Sequence, residues 1–273
     1  MQRTDQYNDR YRIDIDQNIK ADTDTKTGSC TQLPNVIQLV HGVIMASDTT
    51  NKKVALPTDY GIPYMVYLQS TPKSCIGSLI HPQWVLTAAH CPLPTTIRLG
   101  VYQPSVINDQ EQIRNYSLAL RYPEFKSHSL QHDVMMIKLS KPAALNSNVG
   151  TIAIALEPLL LNNSCFIPTW TWSKYKNSPD PDNLTWINQY ILPSHECLNK
   201  INKHMKKGTI MCMGTPDTIL SKNKEIAASP AICGGRVHGI LSWTKGSVPW
   251  GRQGFFTEVH HYAGWILQNI NTH

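Results

Sequence analysis

Two residues of this chain have the types and settings that acid–base chemistry uses. His90 follows two alanines at the end of an apolar run, Leu86-Thr-Ala-Ala-His90, and precedes Cys91. A lone histidine in such a place is ordinarily a satisfied core residue. Asp133 argues against that. It heads the strongly apolar run Val134-Met-Met-Ile-Lys-Leu139, where a carboxylate is costly unless a donor meets its charge. The ring N–H of His90 is such a donor. The pairing would hold the imidazole in one tautomer, as a Ser-His-Asp arrangement needs.

The elements that must position this pair read as strands. From Pro63 onward, short β-branched and aromatic runs alternate with Gly, Pro, Asn and Ser clusters: MVYL, SLI, WVLTA, TIRLGVY, VMMIKL, TIAIAL, FIPTWTW, ILSW and FFTEV. Runs of this length with frequent turns predict an all-β sandwich or barrel. AICGGRVHGIL predicts a hairpin, since Gly234-Gly235 can take positive φ at both turn positions. Two helices are expected. One lies near Ser194 to Lys203, with Ser194 as cap. The other spans His261 to Ile270, with Tyr262, Trp265, Ile266 and Ile270 on one face. Residues 1–56 differ: they are rich in Asp, Asn, Thr and Lys around one apolar island, Val36 to Ala46. They are expected to be a poorly ordered extension.

Composition bounds the function. The chain has 273 residues, 41% hydrophobic and 16% charged, with no apolar run long enough to span a membrane. Its net charge of +6 is mild. The densest basic cluster, Lys203, His204, Lys206 and Lys207, reads as a solvated helix face rather than a nucleic-acid stripe. There is no P-loop, no G-x-G-x-x-G and no CxxC pair, and no cofactor is expected. His128 and His132 are spaced i, i+4, and His260 and His261 are adjacent. Neither pair has a cysteine or carboxylate set around it at ligand spacing, so no metal site is expected.

Seven cysteines lie at 30, 75, 91, 165, 197, 212 and 233. Six of them, from 75 to 233, allow three bridges and leave Cys30 over. Three sequons, at Asn115, Asn162 and Asn183, join the cysteines in favouring an extracellular compartment. The start of the chain carries neither the basic patch nor the apolar stretch of a secretory signal. Three readings follow: a start that has displaced the true signal, the Val36–Ala46 island acting as an internal one, or a cytosolic chain whose bridges would not persist.

IHPQWVLTAAHC and HDVMMIKL resemble the histidine and aspartate motifs of the trypsin-like (chymotrypsin-fold) serine proteases. Pro63-Tyr-Met-Val-Tyr-Leu68 resembles that family's first strand. Ser242-Trp243 resembles the pair that lines the substrate cleft, and Gly254-Phe-Phe-Thr-Glu-Val259 with Tyr262 and Trp265-Ile266 the last strand and terminal helix. The likeness runs from about residue 57 to the C-terminus. It implies two six-stranded antiparallel β-barrels with a cleft between them, over about 57–160 and 161–260, then a helix over 261–273. It also implies the bridges Cys75–Cys91, Cys165–Cys233 and Cys197–Cys212.

The departures from the family pattern decide the chemistry. Where the family has G-D-S-G-G-P, counting back from Cys233 with Pro230 shared, this chain reads Glu225-Ile-Ala-Ala-Ser-Pro230. Ala227 stands at the place of the nucleophilic serine, and a methyl group cannot attack a carbonyl. Ser229 lies two residues on, roughly 6–7 Å along extended chain, too far to replace it. Glu225 replaces the oxyanion-hole glycine and sets a carboxylate against developing negative charge. Ile226 replaces the aspartate that pairs with the new N-terminus of activated members, and no activation start precedes Pro63. Ser221 at the pocket floor offers no acid for Lys or Arg, and Thr244 narrows the entrance that Ser242 and Trp243 line.

The expectation is therefore an inactive trypsin-like protein, similar to the family's inactive subgroup. It would be secreted or acrosomal and monomeric, with a role in reproduction through an unidentified protein partner and without nucleic acid or a membrane span. The competing readings are a working serine endopeptidase and a structural extracellular protein.

Overall fold

The structure, a computed structural model, describes residues 61–161, 163–172, 179–193, 209–214, 227–244 and 253–273. The chain divides into two units, Met1–Val54 and Ala55–His273. The first unit lies outside the described residues, as do Cys30, the helix expected near Ser194 and the basic cluster at 203–207.

The second unit is built on two rings of antiparallel strands. The first contains β1 (Met65–Gln69), β2 (Cys75–His81), β3 (Trp84–Thr87), β4 (Thr96–Leu99), β5 (Gln112–Arg114), β6 (Tyr116–Arg121) and β7 (Met135–Leu139). Their order is β5-β4-β1-β2-β3-β7-β6. Only Asn115 separates β5 from β6, so these two are one strand bent at that residue. Its first half pairs with β4 through Ile97 opposite Arg114, and its second with β7 through Tyr116 opposite Leu139. Counted this way, six strands close the ring.

The second ring holds β9 (Ser164–Thr171), β10 (Asn183–Ile191), β11 (Ile210–Gly214), β12 (Pro230–Cys233), β13 (Arg236–Thr244) and β14 (Gln253–Glu258). The order β12-β9-β10-β11-β14-β13 is closed by pairing of β12 with β13. A two-residue strand, β8 (Ala153–Ile154), adds to β13 in parallel. Gly234 and Gly235 join β12 to β13 with φ of 55° and 75°, as a type I′ turn requires. Closing each sheet on itself leaves few edges to template association.

Sequence texture follows from where each strand lies. A half-buried strand alternates, but β1 does not: Met65, Val66, Tyr67 and Leu68 are all buried. Val66 and Leu68 point into the first barrel, among Leu79, Val85 and Ile97. Met65 and Tyr67 point the other way, against Ile76, Val101 and Trp170 of the second barrel. Tyr67 meets Trp170 edge-on at 5.8 Å, and its hydroxyl donates to Asp180 at 2.5 Å. The unbroken apolar run of β1 is thus the seam between two cores. β7 is apolar because Met135, Met136, Ile137 and Leu139 are all buried in the larger core. Its one charge, Lys138, lies over the Trp84 ring and donates to the carbonyl of His273.

The terminal helix begins later than expected. A 3₁₀ turn covers Val259–Tyr262, and the α-helix runs over Ala263–Thr272 rather than from His261. Val259 and Tyr262 are the buried pair of this turn. Their three-residue spacing fits a 3₁₀ turn as well as an α-helix, so the apolar pattern alone does not separate the two. Tyr262 and Trp265 pack edge-on against Tyr122, at 5.0 and 5.3 Å, and dock the helix on the first barrel. Among the described residues no helix is long and apolar enough to cross a membrane.

Close packing of the second barrel gives a direct test. A Cβ at Gly239 would lie 2.6 Å from Met211 Cε, 3.0 Å from Phe256 Cβ and 3.3 Å from Ala231 Cβ. Met211 can swing away, but two of these neighbours are Cβ atoms fixed to the backbone. Gly239→Ala is expected to destabilise the fold by about 1–3 kcal/mol, read as a lower urea midpoint at unchanged slope.

Candidate active site

Asp133 is completely buried. Its carboxylate takes three hydrogen bonds: from the His90 backbone N–H at 2.7 Å to Oδ1, from His90 Nδ1 at 2.6 Å to Oδ2, and from the Ser242 hydroxyl at 2.5 Å to Oδ2. A carboxylate at this depth is tolerable only when its lone pairs are met in this way. With Nδ1 donating to Asp133, Nε2 is left as the lone-pair nitrogen. The His90 side chain is 25% exposed, so the ring is reachable from outside.

Local folding explains how the pair arises. Ala88 and Ala89 are fully buried between β3 and the bridge of Cys75 to Cys91. That bridge ties the His90 loop to the start of β2. On the other side, Val134 N–H bonds back to the His132 carbonyl at 2.8 Å, a tight turn that sets Asp133 at the head of β7. His132 takes a φ of 55°, uncommon for a residue with a Cβ. Its side chain holds it there: Nδ1 lies 3.0 Å from the Tyr262 hydroxyl, and the ring stacks on Tyr122. Burial pushes the Tyr262 phenol well above its ordinary range, so it stays neutral.

The described residues bring only part of the expected constellation together. Ala227 sits beside Cys75 in an isolated parallel bridge, and its carbonyl accepts from Ile76 N–H at 2.8 Å. Ala227 is therefore fastened to the strand whose cysteine is bridged to the neighbour of His90. Ala228 follows at φ 67° and is buried. Ser229 is fully buried and its hydroxyl donates to Thr169 at 2.9 Å, within the second barrel. Its oxygen is engaged away from His90 and Asp133. Glu225, Ile226 and Ser221 lie outside the described residues, as do the side chains of Trp243 and Thr244.

Ser242, expected to line the cleft, has a buried hydroxyl that faces Asp133. Thr257 adds to this junction, donating to the Asp133 backbone carbonyl at 3.1 Å. His128 is exposed while His132 is buried against Tyr262, so that pair does not converge.

Cysteines and sequons complete the inventory. Cys165 is bridged to Cys233. Cys212 is disulfide-bonded as well, and its expected partner Cys197 lies outside the described residues. Asn115 is exposed at the bend between β5 and β6. Asn183 is half-buried at the start of β10, with its amide donating to Thr171 Oγ1 at 3.3 Å. Asn162 lies outside the described residues.

Because Ser242 is one of three donors to a buried charge, Ser242→Ala is expected to lower unfolding free energy by about 1.5–3 kcal/mol. Ser242→Thr, which keeps the hydroxyl, should recover part of that loss in the same denaturant titration.

Residues 51–266 match the trypsin family. The chain is 35% identical over 212 residues to the Bos taurus protein called probable inactive serine protease 58, covering 76% of this chain and 87% of the relative. It is 33% identical over 219 residues to Homo sapiens serine protease 58, covering 78% and 91%. It is equally 33% identical over 210 residues to Sus scrofa trypsin, covering 77% and 90%. On its two barrels, its paired histidine and aspartate and this breadth of similarity, the chain belongs to the trypsin family of serine proteases.

Proposed function

We propose that this chain is a catalytically inactive trypsin-like protein, secreted, and acting as a protein-binding module. The observation that carries the reading is Ala227 at the nucleophile position. A base is present in His90, but a methyl group gives it no proton to take and no oxygen to form an acyl-enzyme. Ser229 does not fill the gap, since its hydroxyl is buried on Thr169. The name of the Bos taurus relative, which carries the word inactive, favours the same reading.

Further support comes from residues around the vacancy in the motif. Glu225 would set a negative charge where an oxyanion must be stabilised, and loss of one donor there is worth about 3 kcal/mol of barrier. Ile226 leaves the activation switch without its acid. By the family resemblance, Ser221 at the pocket floor would offer no counter-charge and Thr244 would narrow the entrance. What remains is a rigid two-barrel body with a cleft and surface loops, which can hold a polypeptide without cutting it. Sequons at Asn115, Asn162 and Asn183 and the bridged cysteines fit an extracellular setting, and a role in reproduction belongs to the same proposal.

A fluorophosphonate probe with peptide mapping tests the reading on the full chain. No covalent adduct is expected at Ser229 or elsewhere in the cleft. Ala227→Ser alone is expected to leave peptide hydrolysis undetected, because Glu225 and Ile226 remain. Labelling of the native chain, or turnover that is abolished by adding His90→Ala, overturns the proposal.

A further inference from the structure

β14 ends at Glu258, and the chain then tightens into the 3₁₀ turn that leads to the terminal helix. Strand side chains alternate, so Glu258 faces away from Thr257 and from the Asp133 junction that Thr257 supports. The switch from strand to tight turn gathers three ligand-bearing residues on that other face. Glu258 Oε1 lies 3.3 Å from His260 Nδ1, and Glu258 Oε2 lies 3.4 Å from His261 Nε2. One ligand atom from each residue can be chosen so that all three lie within 4.8 Å of one another. The two imidazole rings are 3.9 Å apart between centroids.

These distances are long for hydrogen bonds. A charge-assisted N–H to carboxylate bond is about 2.7–2.9 Å. They match something else: two ligands each about 2.0–2.1 Å from a tetrahedral zinc ion are separated by about 3.3–3.4 Å. His260 Nδ1 is shut off from solvent, and its contact with Glu258 Oε1 at 3.3 Å does not meet hydrogen-bond geometry. A cation between the two would satisfy both.

We propose that Glu258, His260 and His261 form a site for a divalent cation of zinc type, with its fourth position open to solvent. Exposures of 17%, 16% and 36% for the three side chains leave one side accessible. The only other such cluster among the described residues, Cys75, His90 and Cys91, has both sulfurs in a bridge. The expectation of no metal site rested on the absence of a carboxylate near His260-His261. Along a regular strand E-x-H-H would not gather its three side chains on one side; the change from β14 to the 3₁₀ turn does so. A cation here would tie the end of β14 to the turn before the helix and so favour the folded state.

The test uses the untagged full chain, stripped with chelator, and zinc ion alone as the probe. One equivalent should bind in a calorimetric titration and raise the melting temperature. Cobalt substitution should give the intense visible bands of a tetrahedral site. His260→Gln and His261→Gln should each weaken zinc by more than about a hundredfold, beyond what loss of a group that only hydrogen-bonds a ligand does, and abolish those bands. His128→Gln, at an exposed histidine outside the cluster, should leave both readouts unchanged. His261 is the most exposed of the three, so its variant keeps the test open if His260→Gln fails to fold. No saturable binding, binding that survives the His261 change, or binding lost with His128→Gln instead each overturns the proposal.

Discussion

A single buried carboxylate organises the centre of this molecule. Asp133 is sealed from water and must have its charge met from within. The donors come from both barrels: the amide and ring of His90 from the first, and the hydroxyl of Ser242 from the second. Thr257, also of the second barrel, fixes the Asp133 backbone. The junction therefore acts as a polar rivet between two apolar cores. It has an apolar counterpart where Tyr67 and Met65 press on Trp170 and the Tyr67 hydroxyl reaches Asp180.

This arrangement gives His90 and Asp133 a reason to exist that does not involve catalysis. Removing one side of a buried charge–donor set leaves the other uncompensated, which costs about 3–5 kcal/mol for a buried ion pair. That constraint does not depend on peptide cleavage. A histidine and an aspartate in family register are thus evidence for the fold and its junction, and only weak evidence for peptide cleavage. Ala227 bears no such load: its backbone carbonyl, not its side chain, is engaged, by Ile76 N–H.

Much of this was legible in the sequence because burial leaves marks. An acid at the head of Val134–Leu139 implied a donor, and His90 was the candidate with the right neighbours. Strand runs with turn residues between them implied an all-β sandwich or barrel, the family resemblance implied two barrels, and Gly234-Gly235 implied its hairpin. Other features left no mark of their own. Nothing in Ile240-Leu-Ser-Trp243 says which way Ser242 points until strand register is known. The helix start slipped from His261 to Ala263 because Val259 and Tyr262 suit a 3₁₀ turn equally well. Tyr67 and Asp180 are 113 residues apart, and no local pattern joins them. Glu258 and the two histidines beyond it needed a change of backbone period to meet.

The most direct measurement is the unfolding free energy of Asp133→Ala, taken beside peptide turnover of the same samples. A junction that holds the barrels together without catalysis predicts a loss of about 3–5 kcal/mol, as buried donors lose their acceptor, with turnover absent before and after the change. An unfolding free energy within about 0.5 kcal/mol of the native chain, the range of ordinary surface substitutions, contradicts the account, and so does turnover in the native chain that Asp133→Ala abolishes.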